Sequence, residues 1–271
     1  MSSLITSEGI VHYEMDGRGE PVILLHGWIN SWDVWRETMI HIAERHRFRV
    51  YALDFWGFGE SANQQAAQPY KLNAYVSMVE QFMERLGIQR APIIGHSMGG
   101  TVAVKMTLRH PARVSKTAVV GSPIVGDSLN FMLKLGGREW IADRLFQLPW
   151  VMRLVIRTIL AGDSPRVKEM IFRDVSRTSA ESFFRSIEDL HRTDLRPRMG
   201  EISTPTLGVF GEHDNIVHPG QAEVLLKGVP HAHIQSMPHS RHFPMLDEPE
   251  RFRQSLVSFL LNNGHTDESV A

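Results

Sequence analysis

The 271-residue sequence predicts an α/β fold: a mostly parallel sheet with helices on both faces and an inserted helical cap. Three observations predict it. Short, continuously apolar runs recur, each closing on Gly, Asp or Ser, as strands covered on both faces do. Stretches with helical spacing lie between them. That alternation stops between about Ser122 and Ile202, where only helical patterns separated by Gly, Pro and Asp-Ser breaks occur, and then resumes. The length suits one α/β domain carrying an insertion. The expected division is residues 1–121 and 203–271 for the core and 122–202 for the cap.

In chain order, "GIVHYEMDG" alternates like a half-buried strand and ends in the turn "DGRGEP", and "VILLHG" follows as a fully buried strand. "FRVYALD", "APIIGHS", "KTAVVGS" and "TPTLGVFG" repeat the buried pattern. "LNAYVSMVEQFMERLG" places Tyr75, Val79, Phe82 and Leu86 at helical spacing, with Met78 and Met83 widening the apolar face, and closes on Gly87. "TVAVKMTLRHP" is a helix that ends at proline. "HAHIQSM" is a late strand, and a final helix starts near Pro249. The cap joins the core through "GSPIVGD" and "RPRMGEISTP". Such a sheet presents its active groups at the carboxyl ends of its strands.

Composition narrows the function. A formal net charge of -1 and a hydrophobic content of 42% give no footprint for nucleic acid and no sign of disorder. With no cysteine, the chain has no disulfide, no thiolate metal site and no Cys nucleophile. "MSSLITSEGI" lacks the features of a secretory signal, so a cytoplasmic protein is expected. "LPWVMRLVIRTILAG" is broken by Arg153 and Arg157 and falls short of the roughly 20 apolar residues of a membrane span, so it reads as an amphipathic helix and no membrane partner is expected.

The chemistry centres on "GHSMGG", where Ser97 sits between a strand and a helix. A Gly-x-Ser-x-Gly match alone is a weak signal. Its context strengthens it, because a strained strand-to-helix turn needs Gly95 and Gly99 to remove side chains where the two elements close together. The helix start also favours negative charge developing beside the hydroxyl. A serine hydroxyl needs a base, and the base needs an orienting acid. Of fourteen histidines, His242 is the best base: it follows the last strand in a loop, and His239 is its competitor. A metal site at His239 and His242 finds no supporting acid-rich or thiolate cluster. Asp214, just past "LGVFG", is the preferred acid, with Glu212 and Asp127 as rivals. The Met98 N–H and the Trp28 N–H are the expected oxyanion donors.

These residues carry a resemblance. "LLHGW", "ALDFWGFGESA", "GHSMGG", "GEHDNIV" and "HFPMLDEPE" together are similar to the α/β-hydrolase superfamily over nearly the whole chain. Within that superfamily the chain resembles the cap-bearing, cofactor-independent serine hydrolases: carboxylesterases, lactonases, carbon–carbon bond hydrolases and perhydrolase-like enzymes. The resemblance implies Ser97 as nucleophile, Asp214 as acid and His242 as base, with Trp28 and Met98 at the oxyanion. It implies no metal or organic cofactor. The loop from Asp54 to Ser61 is similar to a structural loop beside the site. The expected activity is hydrolysis of a small-molecule carboxylic ester or lactone. Carbon–carbon cleavage, peracid formation and a slow-turnover ligand-binding signalling role are the alternatives; halide displacement would require an Asp at position 97. Trp28, Trp140 and Phe146 are expected substrate contacts, with Trp150, Phe183 and Phe184 as further aromatic residues of the cap.

Overall fold

The computed structural model describes residues 2–61, 70–129, 154, 157–158, 160 and 163–262. Trp140, Phe146, Trp150 and most of "LPWVMRLVIRTILAG" lie outside them. The elements run β1 (Ser2–Ile5), β2 (Ile10–Gly17), β3 (Glu20–Leu25), α1 (Arg36–His46), β4 (Phe48–Leu53), α2 (Leu72–Arg85), β5 (Ala91–His96) and α3 (Met98–Arg109). They continue with β6 (Val114–Val120), α4 (Pro165–Ser176), α5 (Ala180–His191), β7 (Thr206–Gly211), α6 (Gln221–Gly228), β8 (His233–Met237), α7 (Pro244–Asp247) and α8 (Pro249–Leu261). The eight strands form one sheet in the order β1-β2-β4-β3-β5-β6-β7-β8. β2 pairs antiparallel with β1 and β4, and every other pairing is parallel.

Period-two packing explains why the strand sequences are apolar throughout. In β3, Val22 and Leu24 join one core while Ile23 and Leu25 join the other; in β4, Val50 and Ala52 separate from Tyr51 and Leu53 in the same way. The first core is closed by α1 and α8, and the second by α2 and α3. α2 stops as its sequence demands: Gly87 turns left-handed at φ 69°, its N–H donates to the Glu84 carbonyl, and the Ile88 N–H donates to the Met83 carbonyl. The edge strand β1 has no counterpart in the sequence reading. Its four residues are half-buried or exposed in alternation, too short and too polar to stand out.

Strand order places a crevice. From β3 the chain crosses through α1 on one face to β4 on one side; from β5 it crosses through α3 on the other face to β6 on the opposite side. β3 and β5 are themselves neighbours, with Leu25 opposite Gly95, so their outgoing loops part at the carboxyl edge. α4 and α5 belong to the segment between β6 and β7. Each opens on a serine cap: Ser164 accepts from the Val167 N–H and Ser179 from the Ser182 N–H.

Candidate functional site

Ser97 is the last residue before α3 and carries φ 50° and ψ −119°, a conformation that costs a non-glycine residue roughly 1–3 kcal/mol. Its surroundings impose that geometry. Its N–H donates to the Val120 carbonyl at 2.8 Å, and its own carbonyl accepts from the Gly100 N–H at 3.0 Å. A Cβ on Gly95 would lie 2.1 Å from the Gly99 carbonyl oxygen, and one on Gly99 would lie 2.5 Å from the His26 carbonyl oxygen. Both glycines are thus required by close backbone approach, as the sequence pattern suggests.

The loop after β3 forms the facing wall. His26 is fully buried; its Nε2 accepts from the Phe55 N–H at 2.9 Å, which leaves the proton on Nδ1 to donate to the Gly27 carbonyl at 2.6 Å. Burial pushes its pKa down, so it holds the β3 and β4 loops together as a neutral ring. The Trp28 indole N–H donates to the Phe183 carbonyl of α5 at 2.9 Å, and the two rings pack 4.3 Å apart between centroids. Ile29 adopts φ 54°, a rare conformation for a β-branched side chain. Among the described residues, the backbone N–H groups of Trp28 and Met98 meet no hydrogen-bond acceptor. Asp54 supports this loop from below: Oδ1 accepts from the Trp32 N–H, and Oδ2 from the Glu60 N–H and from His12 Nδ1.

Asp214 follows β7, and its Oδ1 accepts the N–H groups of Ile216 and Val217, which fixes the carboxylate. Its Oδ2 lies 2.8 Å from His242 Nδ1, and both side chains are almost fully buried. Since a carboxylate only accepts, His242 Nδ1–H is the donor of this bond. Gly121, at the end of β6 with φ 54°, packs beside this pair: a Cβ there would lie 3.4 Å from His242 Nδ1 and 3.5 Å from Asp214 Oδ2. His96 packs at a tilt against His242 with centroids 4.7 Å apart, and its Nε2–H donates to the His242 carbonyl at 2.8 Å. Burial, helped by the neighbouring His242, holds the His96 pKa well below the usual imidazole range.

Ser97 and His242 line one cavity of about 40 Å³, together with Trp28, Ile29, Asn30, Leu160 and Phe243. The rest of its wall is aliphatic, from Leu129, Ile171, Ile187, Leu190 and Ile216. Near Leu160, Asp163 is buried with neither carboxylate oxygen hydrogen-bonded among the described residues, and burial raises its pKa to about 6 against the opposing pull of Arg241. The rival residues stand elsewhere. His239 is exposed, with its backbone N–H on Glu248; Glu212 accepts from the Ser236 hydroxyl; and Asp127 is 81% exposed, 4.0 Å from His191. Phe183 meets the Trp28 ring and is not part of the cavity wall. Among the described residues no group of three His, Cys, Asp or Glu could hold a metal ion. No described helix is long and apolar enough to cross a membrane.

Sequence reasoning missed Asn30, Ile29, His96 and Gly121. Only Gly121 had a visible signal, the Gly-Ser that closes the run "KTAVVGS".

A mostly parallel sheet covered on both faces, with a strained serine on the turn from a central strand into a helix, defines an α/β architecture. The chain belongs to the alpha/beta hydrolase fold family, whose profile matches residues 20–166. It is similar to a pimeloyl-[acyl-carrier protein] methyl ester esterase of Nitrosospira multiformis, 28% identical over 262 residues that span 92% of this chain and 97% of the relative. It is also similar to a 2-hydroxy-6-oxononadienedioate/2-hydroxy-6-oxononatrienedioate hydrolase of Klebsiella pneumoniae, 28% identical over 258 residues, 90% of this chain and 88% of that one. Among solved structures it shares its fold with an esterase from Exiguobacterium antarcticum, with TM-score 0.81, 23% identity, and coverage of 93% of this chain and 96% of that one. The enol-lactonase of Burkholderia xenovorans LB400 has the same fold, with TM-score 0.77, 22% identity, and coverage of 96% and 100%.

Proposed function

We propose that this protein is a serine hydrolase that cleaves carboxylic esters, lactones included, through an acyl-enzyme, with Ser97 as nucleophile, His242 as base and Asp214 as orienting acid. The observation that carries the reading is the shared cavity: Ser97 and His242 line it together, and the His242 ring is fixed by the 2.8 Å bond from Nδ1 to Asp214. That bond leaves Nε2 as the base. It takes the Ser97 proton as Oγ attacks the ester carbonyl, then returns the proton to the departing alcohol. Water repeats the two steps on the acyl-enzyme. The N–H groups of Trp28 and Met98 donate to the oxyanion, and the positive end of α3 adds to the stabilisation. α4 and α5, in the segment between β6 and β7, act as a cap over the cavity.

An aliphatic wall fits an uncharged acyl or alkoxy arm. The named substrate of the Nitrosospira multiformis relative is a methyl ester, in keeping with this reading. The Klebsiella pneumoniae relative is named as the hydrolase of a dioate, the substrate that a carbon–carbon cleavage reading would follow. Among the described residues no Lys or Arg lines the cavity to meet a second carboxylate, which favours the ester reading. The test is Ser97→Ala on p-nitrophenyl acetate and butyrate: turnover is expected to fall by about 10⁴-fold or more. Turnover at the unsubstituted rate would remove Ser97 from the chemistry.

A further inference from the structure

We propose that His96 is a positioning residue that holds His242 in register with Ser97 by donating its Nε2–H to the His242 carbonyl at the end of β6; this rests on the ester reading above. Sheet order creates the need for it. Ser97 follows β5 and Asp214 follows β7, and β6 lies between those two strands. The loop that carries His242 is fastened from the β7 side: the His213 N–H donates to the Ser240 carbonyl, and Asp214 holds the His242 ring. Further bonds of this loop are local, with the His239 N–H and the Ser240 hydroxyl on Glu248 and the Arg241 N–H on Asp247. None of these reaches β5. The 2.8 Å bond from His96, the last residue of β5, does.

The surroundings suit that bond. Gly121, just past the end of β6, leaves space beside it: a Cβ there would lie 3.3 Å from the His242 carbonyl oxygen. His96 is fully buried, and its ring packs against those of His242 and Phe243 at centroid distances of 4.7 and 4.9 Å. Its other nitrogen, Nδ1, meets no hydrogen-bond partner among the described residues. A leucine of similar volume would fill the same space without burying an unpaired nitrogen, so packing alone does not account for a histidine here. Burial keeps the ring neutral, so it donates without setting a second positive charge beside His242 when that residue takes the Ser97 proton. Because Ser97 is the next residue in the chain, one side chain ties the backbone of the base to that of the nucleophile. Without the bond the His242 backbone is free to shift, and a displacement approaching 1 Å lowers turnover by about ten- to hundredfold. His96 is not among the residues of the cavity wall, so substrate binding is left alone.

Three substitutions separate the bond from the packing. His96→Leu removes the donor, His96→Gln places an N–H as many bonds from Cα as His96 Nε2, and His96→Asn places one a bond short. With p-nitrophenyl butyrate, and folding checked by circular dichroism, His96→Leu and His96→Asn are expected to lose about ten- to hundredfold in kcat with KM within about threefold of wild type. His96→Gln is expected to keep kcat within about threefold and to leave the pH dependence of kcat/KM unchanged. Full kcat in His96→Leu, a loss in His96→Gln as deep as in His96→Leu, or a loss carried by KM alone overturns the assignment. So does a limb of the pH profile that vanishes in His96→Gln, since His96 would then ionise during turnover. Should the variants not fold, the ring-nitrogen chemical shifts of wild-type His96 decide: the neutral Nε2–H tautomer is expected throughout about pH 5 to 8, and an Nδ1–H tautomer or a titration in that range overturns the role. Wild-type protein that hydrolyses no ester, or turnover untouched by Ser97→Ala, overturns the ester reading and this inference together, whereas full kcat in His96→Leu overturns the role of His96 alone.

Discussion

Replacing Gly95 by alanine puts a methyl group where β5 meets the first turn of α3. The new Cβ would lie 2.1 Å from the Gly99 carbonyl oxygen, 2.2 Å from the Gly99 carbonyl carbon and 2.3 Å from the Gly100 nitrogen. All three are backbone atoms, so no side chain can rotate away. Contacts of that kind below 3.0 Å are essentially absent from real structures, so the first turn of α3 must move by about 1 Å relative to β5. Overpacking of that order costs about 1–3 kcal/mol. Ser97 lies between the two elements and shares their displacement; under the proposed role of Ser97 as nucleophile, a shift of about 1 Å lowers turnover by about 10²-fold. The matched control is Gly200→Ala, because a Cβ there meets nothing within 4 Å and Gly200 has no positive φ; this change is expected to be neutral or to stabilise by a few tenths of a kcal/mol. Urea unfolding and p-nitrophenyl butyrate turnover read both variants. A Gly95→Ala protein matching wild type in midpoint and rate would refute the claim that strand and helix meet here without room for a Cβ.

Two further outcomes can be checked by unfolding measurements. Asp163, buried and with its pKa raised to about 6, keeps its proton to higher pH in the folded chain than in the unfolded one. The stability it contributes is therefore present below pH about 4 and lost as pH rises through about 6. Asp163→Asn is expected to gain on wild type across that window, by about 2–3 kcal/mol at pH 7.5, and a stability difference that does not change with pH would contradict it. Asp174 is fully buried and bonded to Ser31 and Arg173, so Asp174→Ala leaves the Ser31 hydroxyl unpaired and is expected to cost about 2–4 kcal/mol in urea, with Asp174→Asn losing less.

The parts of this protein legible in its sequence share one physical cause. Buried parallel strands need apolar residues on both faces, and the chain must break with Gly, Asp or Ser where each strand reaches the carboxyl edge, so β3 to β7 and the loops holding Ser97 and Asp214 stand out. Gly95 and Gly99 could be read because a strand that turns straight into a helix leaves no room for a Cβ on either side of the serine. What escaped depends on distance in space. Asn30 looks like an ordinary polar loop residue in "WINSW", and its isolation appears only when the aliphatic residues of the insertion are placed around it. The partnership of Ser31 with Asp174 spans 143 positions and has no local trace. Ile29 has a left-handed backbone conformation that its β-branched identity argues against, so no propensity argument could find it.

The loop after β3 walls the cavity, and together with the loop after β4 it seats α4 and α5. Trp28 belongs to the cavity, yet its indole N–H is spent on the Phe183 carbonyl of α5. Gly57, in the loop after β4, accepts from the Ser182 hydroxyl at 2.7 Å and the Ser179 N–H at 3.1 Å, and a Cβ there would lie 2.2 Å from Ser182 Cβ. α5 can seat so closely only because that position is glycine at φ 84°. α4 is held in the same manner by Asp174 on Ser31. Apolar contacts tolerate a slide of one residue, whereas these buried donors and acceptors do not, since each slide would strand several of them at once. The register of α4 and α5 is therefore set by these two loops, and because Ile171, Ile187 and Leu190 of those helices line the cavity with Trp28, Ile29 and Asn30, a change in either loop alters the space beside Ser97.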